Sequence, residues 1–78
     1  MAQFVKLNNT LININDIGYI GFFDNTSDYE SSGVSIIGIH FNKEVDKKTY
    51  LAIEYLGRLE REKAREEYKK LENLLISS

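Results

Sequence analysis

From residue 4 to residue 41 the apolar side chains alternate with polar ones or come in β-branched and aromatic runs broken by Asn, Gly and Ser. This is the period of strands. Residues 4–7 predict a first strand with Val5 and Leu7 on one face. Asn8-Asn9-Thr10 predicts a turn, because Asn tolerates the left-handed backbone that tight hairpins need. Residues 11–14 predict a second strand, with Ile12 and Ile14 facing one way, and Asn15-Asp16 allows a short turn. Residues 17–23 form a third, with Ile17, Tyr19 and Phe23 on one face and Ile20 and Phe22 on the other. A strand apolar on both faces is expected to be central or covered on both sides. Residues 24–32, DNTSDYESS, predict a polar, mobile loop. Residues 33–41 predict a fourth strand, with Ile37, Ile39 and Phe41 on one face and Val34, Ile36 and His40 on the other.

After residue 45 the composition changes to Leu, Glu, Lys and Arg with a single Gly. Asp46 suits a helix N-cap, and Val45 and Tyr50 sit at the two positions of a hydrophobic staple around it. The expectation is one helix from Lys47 to about Ile76, carrying Gly57 at a cost of about 1 kcal/mol. Four-residue charge pairs such as Lys63 with Glu67 and Glu66 with Lys70 support it. The predicted fold is α+β in a single domain: a four-stranded, mainly antiparallel sheet over residues 1–45, then one long C-terminal helix over residues 46–78.

Such a helix would span about 45 Å, more than twice a strand of five or six residues. Its second half would overhang the sheet. There, Ala64, Tyr68, Leu71 and Leu75 fall at spacings of 4, 3 and 4, a narrow seam of the coiled-coil kind. The expected partner for that seam is a second copy, giving a homo-oligomer.

Size and composition point the same way. A chain of 78 residues with no cysteine has a marginal core of its own and no disulfide to staple it. The lack of cysteine, together with a single histidine, excludes thiolate metal sites, a cysteine nucleophile and a multi-histidine metal site within one chain. No metal and no cofactor are expected. No apolar run is long enough to cross a bilayer, and MAQFVKLNN has no signal-peptide core, so a cytoplasmic protein without membrane association is expected. The net charge of −2 disfavours a general nucleic-acid binder.

Little of the chain offers catalytic chemistry. His40 is the one side chain with an intrinsic pKa near neutrality, and it sits between Ile39 and Phe41 with no nucleophile beside it in sequence. Asp24, Asp28 and Glu30 share one loop but lack the spacing and turn glycine of an EF-hand. No catalytic residue is assigned and the chain is read as a non-enzyme. A binding lining is easier to assemble. Tyr19, Phe22, Phe23 and Tyr29 cluster around the end of the third strand and the loop, His40 lies on the neighbouring strand, and Arg58, Arg61 and Arg65 run along one side of the helix. These eight residues form the candidate site, with the arginines available to a small anionic ligand.

The opening FVKLNNTLININDIGYI runs strand, Leu-Asn turn, Ile-rich strand and Asn-Asp-Ile corner into a third strand. In this it resembles the flagellar FlbD-type proteins and small phage accessory proteins, over about 17 residues. The chain departs from them in its long charged helix and in Asn9, where a turn Gly is common, and no functional residue carries over. The resemblance implies a small intracellular accessory protein of phage or prophage origin. The expected function is non-catalytic, oligomeric binding or inhibition, as in a phage inhibitor of a bacterial defence system that masks a host protein or sequesters a small nucleotide. Two alternatives are a nucleic-acid-binding regulator using Arg58, Arg61 and Arg65, and a small enzyme completed by oligomer contacts with His40 as base.

Overall fold

The computed structural model describes residues 3–26 and 33–77. The chain is α+β, with five strands in two antiparallel sheets and one C-terminal helix. Strands β1 (Phe4–Leu7) and β2 (Thr10–Asn13) form a hairpin of their own. Its turn is Asn8-Asn9, at φ 45° and 69°, the double left-handed conformation of a two-residue hairpin turn. A 3-10 turn over Ile14–Asp16, capped by the Asn13 side chain accepting from the Asn15 N–H at 3.0 Å, leads out of the hairpin. Strands β3 (Ile17–Thr26), β4 (Gly33–Val45) and β5 (Lys48–Leu56) then form the larger sheet, in the order β3-β4-β5.

This corrects the expected layout. The third strand, expected to be central or covered on both sides, is an edge strand of the larger sheet. The strands number five in two sheets, not four in one. The segment expected to open the helix is instead a strand. Asp46 and Lys47 adopt φ 50° and 65°, so they form a hairpin turn and not an N-cap. Asp suits both roles, and only the backbone tells them apart. From Lys48 the chain runs back along β4, pairing Leu51 with Ile39, Ile53 with Ile37 and Tyr55 with Ser35. Leu, Ala and Glu favour helix, but the central strand supplies a hydrogen-bonding edge and a row of isoleucines, and tertiary pairing outweighs propensity. Gly57, at φ 84°, makes the corner, a conformation costly for any residue with a Cβ. A 3-10 turn over Arg58–Glu60 follows, and helix α1 covers Arg61–Ser77.

The core lies between one face of the larger sheet, the β1–β2 hairpin and the helix. It gathers Val5, Leu7, Ile12, Ile14, Ile37, Ile39, Ile53 and Tyr55, with Ala64 and Leu71 from α1 fully buried against them. Tyr68 and Leu75 pack on the same cluster, Tyr68 against Phe22 with ring centroids 5.3 Å apart. The apolar seam of the helix therefore faces its own sheet. Seventeen helical residues span about 25 Å, which β4 with its thirteen residues more than matches. The overhang that called for a second copy does not exist. Leu71→Asp would bury a charge in the chain's own core and test folding, not assembly.

One polar cluster ties the three parts together. The Tyr55 hydroxyl donates to Oε1 of Glu67 on the helix, and the Asn8 N–H donates to the same oxygen at 2.9 Å. The Asn8 side-chain amide donates to the Glu54 carbonyl at 2.8 Å, and Lys63 Nζ donates to Asn8 Oδ1 at 3.3 Å. The turn of the first hairpin is thus fixed to β5 and to α1. Burial first, and the Glu67 carboxylate second, hold the Tyr55 hydroxyl far above the ordinary phenol range.

Two outcomes follow for stability. Lys47→Gly should raise stability by about 0.5–1 kcal/mol in urea unfolding, since Gly relieves the left-handed strain. In a helix the same change would lower it by about 1 kcal/mol, so the sign discriminates between the two backbones. Tyr55→Phe should cost about 1–2 kcal/mol near neutral pH, because Glu67 loses a donor in a partly buried place. A phenol pKa raised on folding means that its stabilisation is complete below the unfolded value of about 10 and is lost as pH rises above it. The wild type should therefore lose stability more steeply above about pH 10 than Tyr55→Phe does.

Candidate binding face

The second face of the β3-β4-β5 sheet is covered by neither the hairpin nor the helix. Register fixes which residues share it. Tyr19, His40 and Tyr50 lie side by side across the three strands. The next row is Gly21, Gly38 and Ala52, and the next Phe23, Ile36 and Glu54. A row of three rings thus borders a row of the smallest residues, with Phe23 and Ile36 beyond.

The rings contact one another. Tyr19 and His40 stack with centroids 4.1 Å apart and planes 10° from parallel, and His40 meets Tyr50 at 4.6 Å and 53°. Offset stacking and tilted packing are the favoured aromatic geometries. The ladder holds the rings in place while leaving them open: Tyr19 is 63% exposed, Phe23 58% and Tyr50 45%. Between the ring row and Phe23 lies a shallow cleft of about 250 Å³, lined by Tyr19, Gly21, Phe23, Ile36, His40 and Tyr50 among others.

The two glycines of the floor differ. At Gly38 a Cβ would stand 2.8 Å from the Tyr50 hydroxyl and 3.3 Å from its ring, so Tyr50 leans over that position. At Gly21 a Cβ would meet nothing within 4 Å, and this is where the cleft is open. A third glycine, Gly18, sits at the register shift between Ile17 and Tyr19, with the His40 carbonyl 3.1 Å from where its Cβ would be. Its lack of a side chain permits the bulge that aims Tyr19 onto His40.

Of the eight candidate residues, the structure brings Tyr19, Phe23 and His40 to this face. Phe22 points to the opposite, inner side, where it packs on Tyr68. Arg65 is bonded to Asp24 at 3.2 Å and to Glu62 at 3.3 Å, Arg58 lies in the 3-10 turn and Arg61 opens the helix. None of the three arginines lines the cleft. Asp24, expected in a solvated loop, lies at the end of β3 and accepts from the buried Ser35 hydroxyl at 3.4 Å. Asn25 and Thr26 of that expected mobile loop also belong to β3, and its residues 27–32 with Tyr29 lie outside the described residues. The sequence-derived candidate site left out Tyr50, Gly21 and Ile36, and Gly38, which the sequence suggests as room for a packed aromatic ring, lies under Tyr50. The available signal was the i, i+2, i+4 run Tyr19-Gly21-Phe23, facing Ile36-Gly38-His40 in antiparallel register.

Among the described residues no group of three or more His, Cys, Asp or Glu side chains is placed to hold a metal, and no helix is long and apolar enough to cross a membrane. No protein-family model, curated protein or solved structure matches the chain, so the resemblance of its opening strands to FlbD-type proteins goes no further than outline.

Gly38→Ala tests the ring arrangement. The added methyl displaces the free end of Tyr50, which can swing outward, so the cost in stability should stay below about 1 kcal/mol. Proton cross-peaks between the His40 and Tyr50 rings should vanish while those between Tyr19 and His40 persist. Survival of both sets would show that Tyr50 does not lie over Gly38.

Proposed function

We propose that this protein works by binding and not by turnover, as a binding or inhibitory accessory protein whose working surface is the outer face of the β3-β4-β5 sheet. The observation that carries this reading is the pre-stacked ladder Tyr19–His40–Tyr50 beside the open floor at Gly21. Exposed apolar patches of this kind on small soluble domains mark interaction sites. Large, rigid aromatic side chains lose little conformational freedom on docking, and here the ladder restrains three of the rings in advance. His40, the one base that sequence offers, is engaged by a tyrosine ring on each side, which favours a packing role over proton transfer. A row of exposed rings on a sheet also suits an unpaired base. The arginines lie away from the cleft and the chain carries a net charge of −2, which favours an uncharged or apolar occupant over a polyanion.

Hydroxyl-radical footprinting tests this directly. Tyr19 and Phe23 should be modified readily in dilute purified protein and at least several-fold more slowly in concentrated extract of the source cells. Leu59, 91% exposed on the turn before the helix, serves as the internal reference and should change little. Equal modification of the rings under both conditions would remove the docking reading. Covalent conversion of any bound molecule, lost in His40→Ala, would replace it with an enzyme.

A further inference from the structure

We propose that the occupant of the aromatic face, in the protein at working concentration, is the same face of a second copy, related by a two-fold axis that runs across the strands between the ring row and the glycine row. The proposal rests on the reading of this face as a docking surface and names the partner. Seam residues Ala64 and Leu71 are spent inside the chain's own core, so the helix is no longer the element that needs a second copy. The outer sheet face is.

The register supplies the complementarity. An isologous contact sets the same patch against itself. With the axis level with Ile20, Ile39 and Leu51, which pair across the three strands, each residue faces its mirror position on the same strand. Tyr19 then meets Gly21 of the second copy, His40 meets Gly38 and Tyr50 meets Ala52. Large stands against small on the two outer strands of the sheet, in both directions at once. Tyr50 already fills the space over Gly38 within its own chain, so the leading contact is Tyr19 entering the open place over Gly21. The same operation brings Glu54 level with Lys48 of the second copy, two exposed residues of opposite charge, each three positions from Leu51. A centre one residue up or down the strands sets a row against itself at the axis and brings Tyr19 onto Tyr19 or onto Phe23.

The area is sufficient. Tyr19, Phe23, Tyr50 and Leu56, the last paired with Val34 at the end of the same face, are 63%, 58%, 45% and 70% exposed. At roughly 200 Å² for a large side chain they offer on the order of 500 Å² per copy. Two copies reach about 1,000 Å² before any rim is counted, the total at which specific interfaces begin. Face-to-face sheets pack about 10 Å apart with side chains interdigitated and strands within about 30° of alignment, which this register allows.

Sedimentation equilibrium from micromolar to submillimolar concentration reads the outcome. The unmodified chain should be a dimer. Gly21→Lys should weaken it at least tenfold, because it fills the receiving notch with a charge. It should leave the circular dichroism unchanged, because that Cβ meets nothing within 4 Å among the described residues. Tyr19→Lys should do the same from the other side of the contact, and Leu59→Lys, away from the face, should not. A monomer throughout the range, or a dimer indifferent to both Gly21→Lys and Tyr19→Lys, would overturn the proposal. A monomer whose rings are nonetheless shielded in cell extract would exclude the second copy while leaving the docking reading in place. A monomer whose rings are unshielded would remove both.

Discussion

Strand β4 is hydrogen-bonded along both edges, and so both of its faces must be dealt with at once. Ile37, Ile39 and Phe41 project to one side and Ile36, Gly38 and His40 to the other. The chain has one helix and one small hairpin with which to cover them, and both go to the same side. That choice follows from side-chain shape. The inner row is branched aliphatic and can be close-packed against Leu7, Ile12, Ala64 and Leu71. The outer row pairs flat rings with glycines and offers a helix no ridge that matches. Among the described residues the outer face is left open by what it is made of.

The same constraint explains the polar cluster at Glu67. A two-stranded hairpin is marginal alone. Val5, Leu7, Ile12 and Ile14 anchor β1 and β2 by burial, but burial does not fix orientation. The bonds from Asn8 and Tyr55 to Glu67, and from Asn8 to the Glu54 carbonyl, do so. The Asn8-Asn9 turn thus has two roles, one in backbone conformation and one in docking. Asn8 is the residue that can fill both: it accepts a left-handed φ and carries an amide that donates and accepts.

Much of this was legible in the chain. The Asn8-Asn9 turn, the opposed faces of β4 and the apolar stripe Ala64, Tyr68, Leu71 and Leu75 follow from turn chemistry and periodicity, whereas on β3 the bulge at Gly18 turns Ile17 into the core, opposite the Tyr19 and Phe23 with which it was expected to share a face. The segment from Asp46 to Leu59 was not legible, for a physical reason. Residues 50–56 are apolar at nearly every position, so a period of two and a period of 3.6 fit equally well. Asp46 is as good a turn residue as a cap, and Gly57 reads as a defect in a helix until its φ of 84° shows it to be the corner. Misreading β5 hid Tyr50 and turned a stripe that packs internally into an apparent seam for a partner. It also mixed the two sides of the sheet in the candidate site, since Phe22 and Phe23 are neighbours in sequence and opposite in space.

The correction moves the pressure for a partner from the helix to the sheet, and this changes what kind of partner is suitable. A coiled-coil seam accepts another amphipathic helix. A flat face of rings and glycines accepts another flat apolar surface or an inserted ring. The glycines matter as much as the rings here, since Gly21 lies in the middle of a strand, where Gly is usually destabilising, and no described residue fills the space beside it. Gly18 permits a bulge and Gly38 makes room for Tyr50, but a Cβ at Gly21 would meet nothing within 4 Å among the described residues. A close approach from outside, as in the proposed contact between copies, would give that open position a use.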